Sequence, residues 1–260
     1  MQVPGVSLYL ARVSTLERSP EVVLAVPLSS GATWPAKHAP ATRELGWLLP
    51  VAVGMLVALP VFLQAPWVRL HPTSATAFTT VLLSAGLLLG WRGQGQWREL
   101  GGVLVGFSGS WLAGCLFWGW FRLHPAWHLP VEAFAVPIAW AGLSTRWRSA
   151  GAFYLASLLG TACTDGAMLL TGVMPLWPQV LQAPAEQAPE LLRKAAELVL
   201  QPLALIEIAT IATGLILLGR RWWPQGASGR VAAAALITTL AVDGLFLGAA
   251  LLSPHLSGLI

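Results

Sequence analysis

From residue 46 onward the chain alternates long apolar runs with short breaks marked by charge, proline or tryptophan. Seven runs stand out, at about 46–64, 73–90, 100–121, 129–143, 150–173, 198–219 and 230–252. A helix needs about 20 mostly apolar residues to cross a bilayer. The pattern therefore predicts an all-α, polytopic transmembrane helix bundle of about seven spans over 46–255. The fourth run, LPVEAFAVPIAWAGL, is short and holds Pro130 and Pro137. By itself it also fits a re-entrant segment. Residues 1–45 are mixed in character, with Pro4, Pro20, Pro27, Pro35 and Pro40. No basic stretch precedes a long apolar core there, so the sequence predicts a loosely ordered tail rather than a signal peptide.

Charge turns this pattern into a topology. Charged residues make up 10% of the 260-residue chain, against about 25% in soluble domains. The net charge of +4 is spread over the breaks, which argues for threading and against nucleic-acid binding. With seven spans and a cytoplasmic N-terminus, the cytoplasmic side carries Arg12, Arg18, Lys37, Arg43, Arg92, Arg98, Arg146, Arg148, Arg220, Arg221 and Arg230. The other side carries Arg69, Arg122, Arg193 and Lys194. Cytoplasmic loops favour Lys and Arg. A re-entrant fourth run would turn Arg146, Arg148 and the 220–230 cluster outward, so the sequence favours seven crossings with the C-terminus outside. Trp47, Trp67, Trp91, Trp97, Trp147, Trp177, Trp222 and Trp223 fall near span ends, where interfacial belts place them. Cys115 and Cys163 lie inside apolar runs and read as small hydrophobes, with no disulfide framework and no metal motif. The segment 175–197 reads as an external connector, helical toward its end.

Span three carries Gly102, Gly106, Ser110 and Gly114 at intervals of four, a small-residue face that lets another helix approach closely. Gly244 and Gly248 form a shorter stripe in span seven, and Gly86 and Gly90 one in span two. These faces serve either packing within the bundle or a homodimer. Gly90, at a span end, is expected to tolerate bulk better than Gly106.

Four acids lie within the runs: Glu132, Asp165, Glu207 and Asp243. Ionisable groups at such positions are costly in lipid and are functional candidates by default. Counted from the span ends, all four fall in the outer half to the middle of the membrane, so one shared cavity is expected. LLGTACTDGAML (158–169) aligns with LITTLAVDGLFL (236–247), pairing Asp165 with Asp243 and Gly166 with Gly244. Glu132 and Glu207 precede them in the neighbouring spans. The segments 129–173 and 198–252 thus read as a parallel repeat of helix pairs. In the hairpin FWGWFRLHPAWHLPVE, Arg122, His124 and His128 sit just outside Glu132, and His128 and Glu132 share a helix face if the helix begins by His128. Such a pair suits proton entry, or metal or chlorophyll ligation.

At WFRLHPAWHLPVEAFAVPIAWAG the chain resembles a cyanobacterium-restricted family of integral membrane proteins of unknown function, over about residues 45–255. The resemblance implies a thylakoid or plasma membrane setting and no assigned activity. Pro130, Glu132 and Ala133 are also similar to the Pro-x-Glu-Glu motif of membrane-type lycopene cyclases, with the second acid absent. Three functional readings follow. The first is a carrier with an outward-facing carboxylate cavity for a cation, proton or small ligand. The second is a scaffold for photosynthetic membrane complexes or pigment. The third is an intramembrane isoprenoid-modifying enzyme with Glu132 as proton donor.

Overall fold

A computed structural model describes residues 47–184 and 186–252; the expected tail, 1–45, lies outside the described residues. The helices are α1 (Leu48–Leu59), α2 (Ala65–Leu70), α3 (Pro72–Arg92), α4 (Gln96–Leu116), α5 (His128–Glu132), α6 (Val136–Gly142), α7 (Arg148–Leu170), α8 (Trp177–Gln182), α9 (Ala188–Val199), α10 (Pro202–Trp222) and α11 (Gly226–Leu252). A π-helical turn, Pro60–Gln64, joins α1 to α2 in one rod, and a second, Phe117–Phe121, extends α4. Six of these rods are long and apolar enough to cross a membrane.

Contacts fix how the rods alternate. Gly86 of α3 abuts Val105 of α4, and Trp111 Nε1 donates to Ala75 O (2.9 Å), so α3 and α4 are antiparallel. Gly102 of α4 meets Ser149 of α7, and Phe107 stacks edge-on with Phe153, so α4 and α7 are parallel. Two consecutive parallel rods require the chain between them to return across the bundle. Residues 125–142 do this as a broken traverse. Its start meets the far end of α7 through His128 and Asp165, and Ala139 O meets Gly151 near the start of α7. Gly54 beside Thr238 with Phe62 stacked on Phe246, and Gly160 beside Thr239 with Thr164 bonded to Asp243, set the α1–α2 rod and α7 both parallel to α11. The result is seven alternating passages. One bundle end gathers Arg92, Arg98, Arg146, Arg148, Arg220, Arg221 and Arg230.

α4 is the centre. Val103, Phe107, Trp111 and Cys115, at intervals of four, are fully buried. Trp111 sits in an edge-on cluster with Trp67, Phe78 and Phe107. The small-residue face does what its spacing predicts at Gly102 and Gly106: a Cβ at Gly106 would stand 2.4 Å from Ala150 O. Gly101, on the other side, is as tight against Gly90 N (2.2 Å). Gly90 itself would meet the Trp147 ring at 2.6 Å, a side chain where Gly106 meets a backbone carbonyl, so bulk there is the lesser clash but not a free one. The ring of Trp147 closes over the α3 terminus, a tertiary contact that span-end position does not reveal. Gly244 and Gly248 face open space, and no described atom lies within 4 Å of an added Cβ. They are not close-packing positions within the bundle.

The break in the traverse has a visible cause. Pro137 has no N–H to continue the helical ladder, and the backbone between Glu132 and Val136 tightens into a 3₁₀ turn. Tyr154 of α7 inserts its hydroxyl there. It accepts the Ala135 N–H (3.1 Å) and donates to Glu132 O. Irregular backbone at membrane depth persists only where such partners replace the lost bonds.

Candidate functional site: a carboxylate-lined cavity

The bundle holds a partly open cavity of about 660 Å³ between α1–α2, α4, α7, α10 and α11, at the end opposite the arginine-rich one. Its wall is mainly aliphatic and aromatic. The amphipathic helix α9 covers part of it, with Leu192 and Ala196 buried and Arg193 and Lys194 exposed. The external connector expected at 175–197 is therefore a roof helix, and its apolar stripe is legible at Leu192, Ala195, Ala196 and Val199.

One patch of the wall is polar. α5 places His128 and Glu132 one turn apart, and α7 brings Asp165 to the same ring. Both Asp165 oxygens lie 3.0 Å from His128 Nδ1, and Glu132 Oε1 lies 3.3 Å from Nε2. A histidine can donate from both nitrogens only as the imidazolium. Each of these side chains is largely buried: 24% exposed for His128, 20% for Glu132 and 16% for Asp165. The Phe117 ring lies 4.2 Å from the imidazole and fixes its plane. Asp243 of α11 lines the same cavity and accepts a hydrogen bond from Thr164 Oγ1 (2.7 Å).

The sequence placed four acids in one cavity, and three are there. Glu207 is half-buried and stands outside the wall, which α10 forms with Ile208, Ile211, Ala212 and Leu215. Depth along a helix was readable from the chain; the face it presents was not. Arg122 also stands outside the wall. Its carbonyl accepts Trp177 Nε1 (2.8 Å), a contact that anchors α8 to the α4 terminus. Among the small-residue positions, Ser110 and Gly114 line the cavity and are not helix-contact positions alone. Sequence reasoning missed Gln64, Thr164 and Arg69. Gln64 had a signal, as an amide near the end of the first apolar run. Thr164 had one as the neighbour of Asp165. Arg69, exposed at the rim, carries in the sequence only a topology signal.

The cavity wall thus holds three carboxyl groups and one imidazole among apolar side chains. Carboxyl oxygens gathered in this way can take up a cation or protons. No grouping of three or more His, Cys, Asp or Glu side chains with metal-site geometry occurs among the described residues.

These features define an all-helical integral membrane protein with a buried polar patch in an otherwise apolar intramembrane cavity. The chain belongs to the family described as Protein of unknown function (DUF3120), whose model matches residues 53–251. No curated protein and no solved structure matches it.

Proposed function

We propose that this protein is carrier-like and binds a lipophilic cation, or the protons that replace it, in the cavity lined by Glu132, Asp165 and Asp243. One observation carries the reading: three carboxylates from three separate helices face one cavity that offers a single imidazole in return. The aliphatic wall would hold the apolar body of the ligand and the carboxylates its charge. Of the described basic residues, seven gather at the far bundle end and four at the cavity end. This supports a cytoplasmic N-terminus and a cavity near the outer face.

The scaffold reading loses one support. Both ring nitrogens of His128 are engaged by carboxylates, so none is free to ligate a metal or chlorophyll. The enzyme reading shares the cavity and would use the Glu132–His128 pair as proton donor to an apolar substrate.

The test is equilibrium binding of tetraphenylphosphonium to purified protein. Asp243→Asn keeps the shape and removes the charge. It should weaken binding about tenfold, the equivalent of about 1.4 kcal/mol. Glu207→Gln, outside the cavity, should leave binding unchanged. Equal affinity in wild type and Asp243→Asn would refute the reading.

A further inference from the structure

The cavity wall contains a second polar element that the carboxylate patch does not use. Gln64 ends the π-helical turn Pro60–Gln64 and is 1% exposed. Its Nε2 is committed twice, donating to Trp111 O and lying 3.1 Å from Cys115 Sγ. Its Oε1 is sealed from solvent and has no hydrogen-bond partner among the described residues. Leaving an acceptor unpaired in an apolar interior is costly, so an orphan of this kind calls for an explanation.

The surroundings supply one. Gly114, across from Gln64, has no side chain to contribute, and a Cβ there would stand 2.5 Å from Oε1. The last small residue of the α4 stripe therefore makes room for the amide, not for a neighbouring helix. Gln64, Gly114 and Ser110 all line the cavity, as does Ser157, whose buried hydroxyl also lacks a partner. Two π-helical turns, one on each side of this region, contribute Gln64 and Phe117 to the wall. Such turns concentrate at functional sites. Along α4, Gly114 lies three residues from Phe117, which packs on His128. Gln64 and the His128 cluster therefore lie on the same stretch of α4.

We propose that Gln64 Oε1 forms a second subsite that accepts a hydrogen bond from a hydroxyl or N–H of the ligand, so that the ligand is an amphiphilic amine carrying a donor on a short chain beyond its charge. The direction follows from the amide. With Nε2 occupied, only the oxygen is available, so a ligand ketone or ether finds no partner. Gln64 lines the cavity, so a slight shift of the wall around Oε1 admits the donor while Nε2 keeps its partners. This inference rests on the cation-binding reading above.

Two isosteric probes test it by calorimetric titration: 3-(dodecylamino)propan-1-ol and N-butyldodecylamine, which differ only in hydroxyl against methyl. Wild type should bind the hydroxylated amine about threefold to tenfold more tightly. Gln64→Met, similar in shape, should abolish that preference while still binding the butyl amine. The probe pair acts on wild type alone, so the test stands even if the variant does not fold. No preference in wild type, or a preference that survives in Gln64→Met, overturns the subsite. If Asp243→Asn weakens both amines equally while wild type shows no preference, the carboxylate reading stands and the subsite falls. If the preference holds but Asp243→Asn changes nothing, the subsite stands alone. If neither amine binds, both fall.

Discussion

His128 has a carboxylate at each ring nitrogen, and this decides what the site can do. An imidazolium there offsets one negative charge and leaves the rest of the cluster to an incoming cation or proton. Tetraphenylphosphonium binding should therefore weaken as pH falls, because a protonated carboxyl offers the cation no charge. Affinity measured from neutral pH downward checks the sign, and binding that strengthens in acid would contradict it. Tyr154 makes a second prediction at this scale. Tyr154→Phe leaves the Ala135 N–H and one lone pair of Glu132 O unpaired at membrane depth and should destabilise the bundle by about 1–3 kcal/mol in a detergent unfolding assay. The acids themselves were legible in the sequence because carboxylates are conspicuous in apolar runs. Tyr154 was not, because its role exists only once a broken backbone lies against it. Glu207 shows the limit from the other side. Its depth followed from counting residues, but its facing depends on how α10 is rotated against α7 and α11.

At the scale of the element, spacing by four on α4 correctly placed Gly102 and Gly106 on a close contact. It could not say that Gly114 serves a side chain, or that Gly244 and Gly248 pack against no other helix among the described residues. Gly106→Leu should collapse detergent stability, since even a methyl would reach the Ala150 carbonyl. Gly248→Leu should leave stability nearly unchanged. Comparable losses in the two variants would show that the stripe of α11 is packed after all. The traverse 125–142 was readable as a short, proline-bearing run, and its two possible courses were separated only by α4 and α7 being parallel. α7 and α11, which the sequence aligned at Asp165 and Asp243, are parallel neighbours with Gly160 against Thr239 and Thr164 bonded to Asp243. Their preceding segments differ, one broken and one a continuous 21-residue helix.

For the whole molecule, hydropathy gave the class, and the placing of the basic residues predicts the threading. The cavity emerged only from assembly, because its wall draws single residues from elements far apart in sequence. Reporter fusions after Arg148 and Arg221 should read on one side of the membrane and a fusion after Thr171 on the other. The central claim is that a cation enters between Glu132, Asp165 and Asp243. The most direct measurement is an experimental structure with tetraphenylarsonium bound, the arsenic located by its anomalous scattering. The account predicts an arsenic peak inside the cavity, flanked by those three carboxylates. A peak only on the lipid-facing surface, or an empty cavity at saturating ligand, would contradict it.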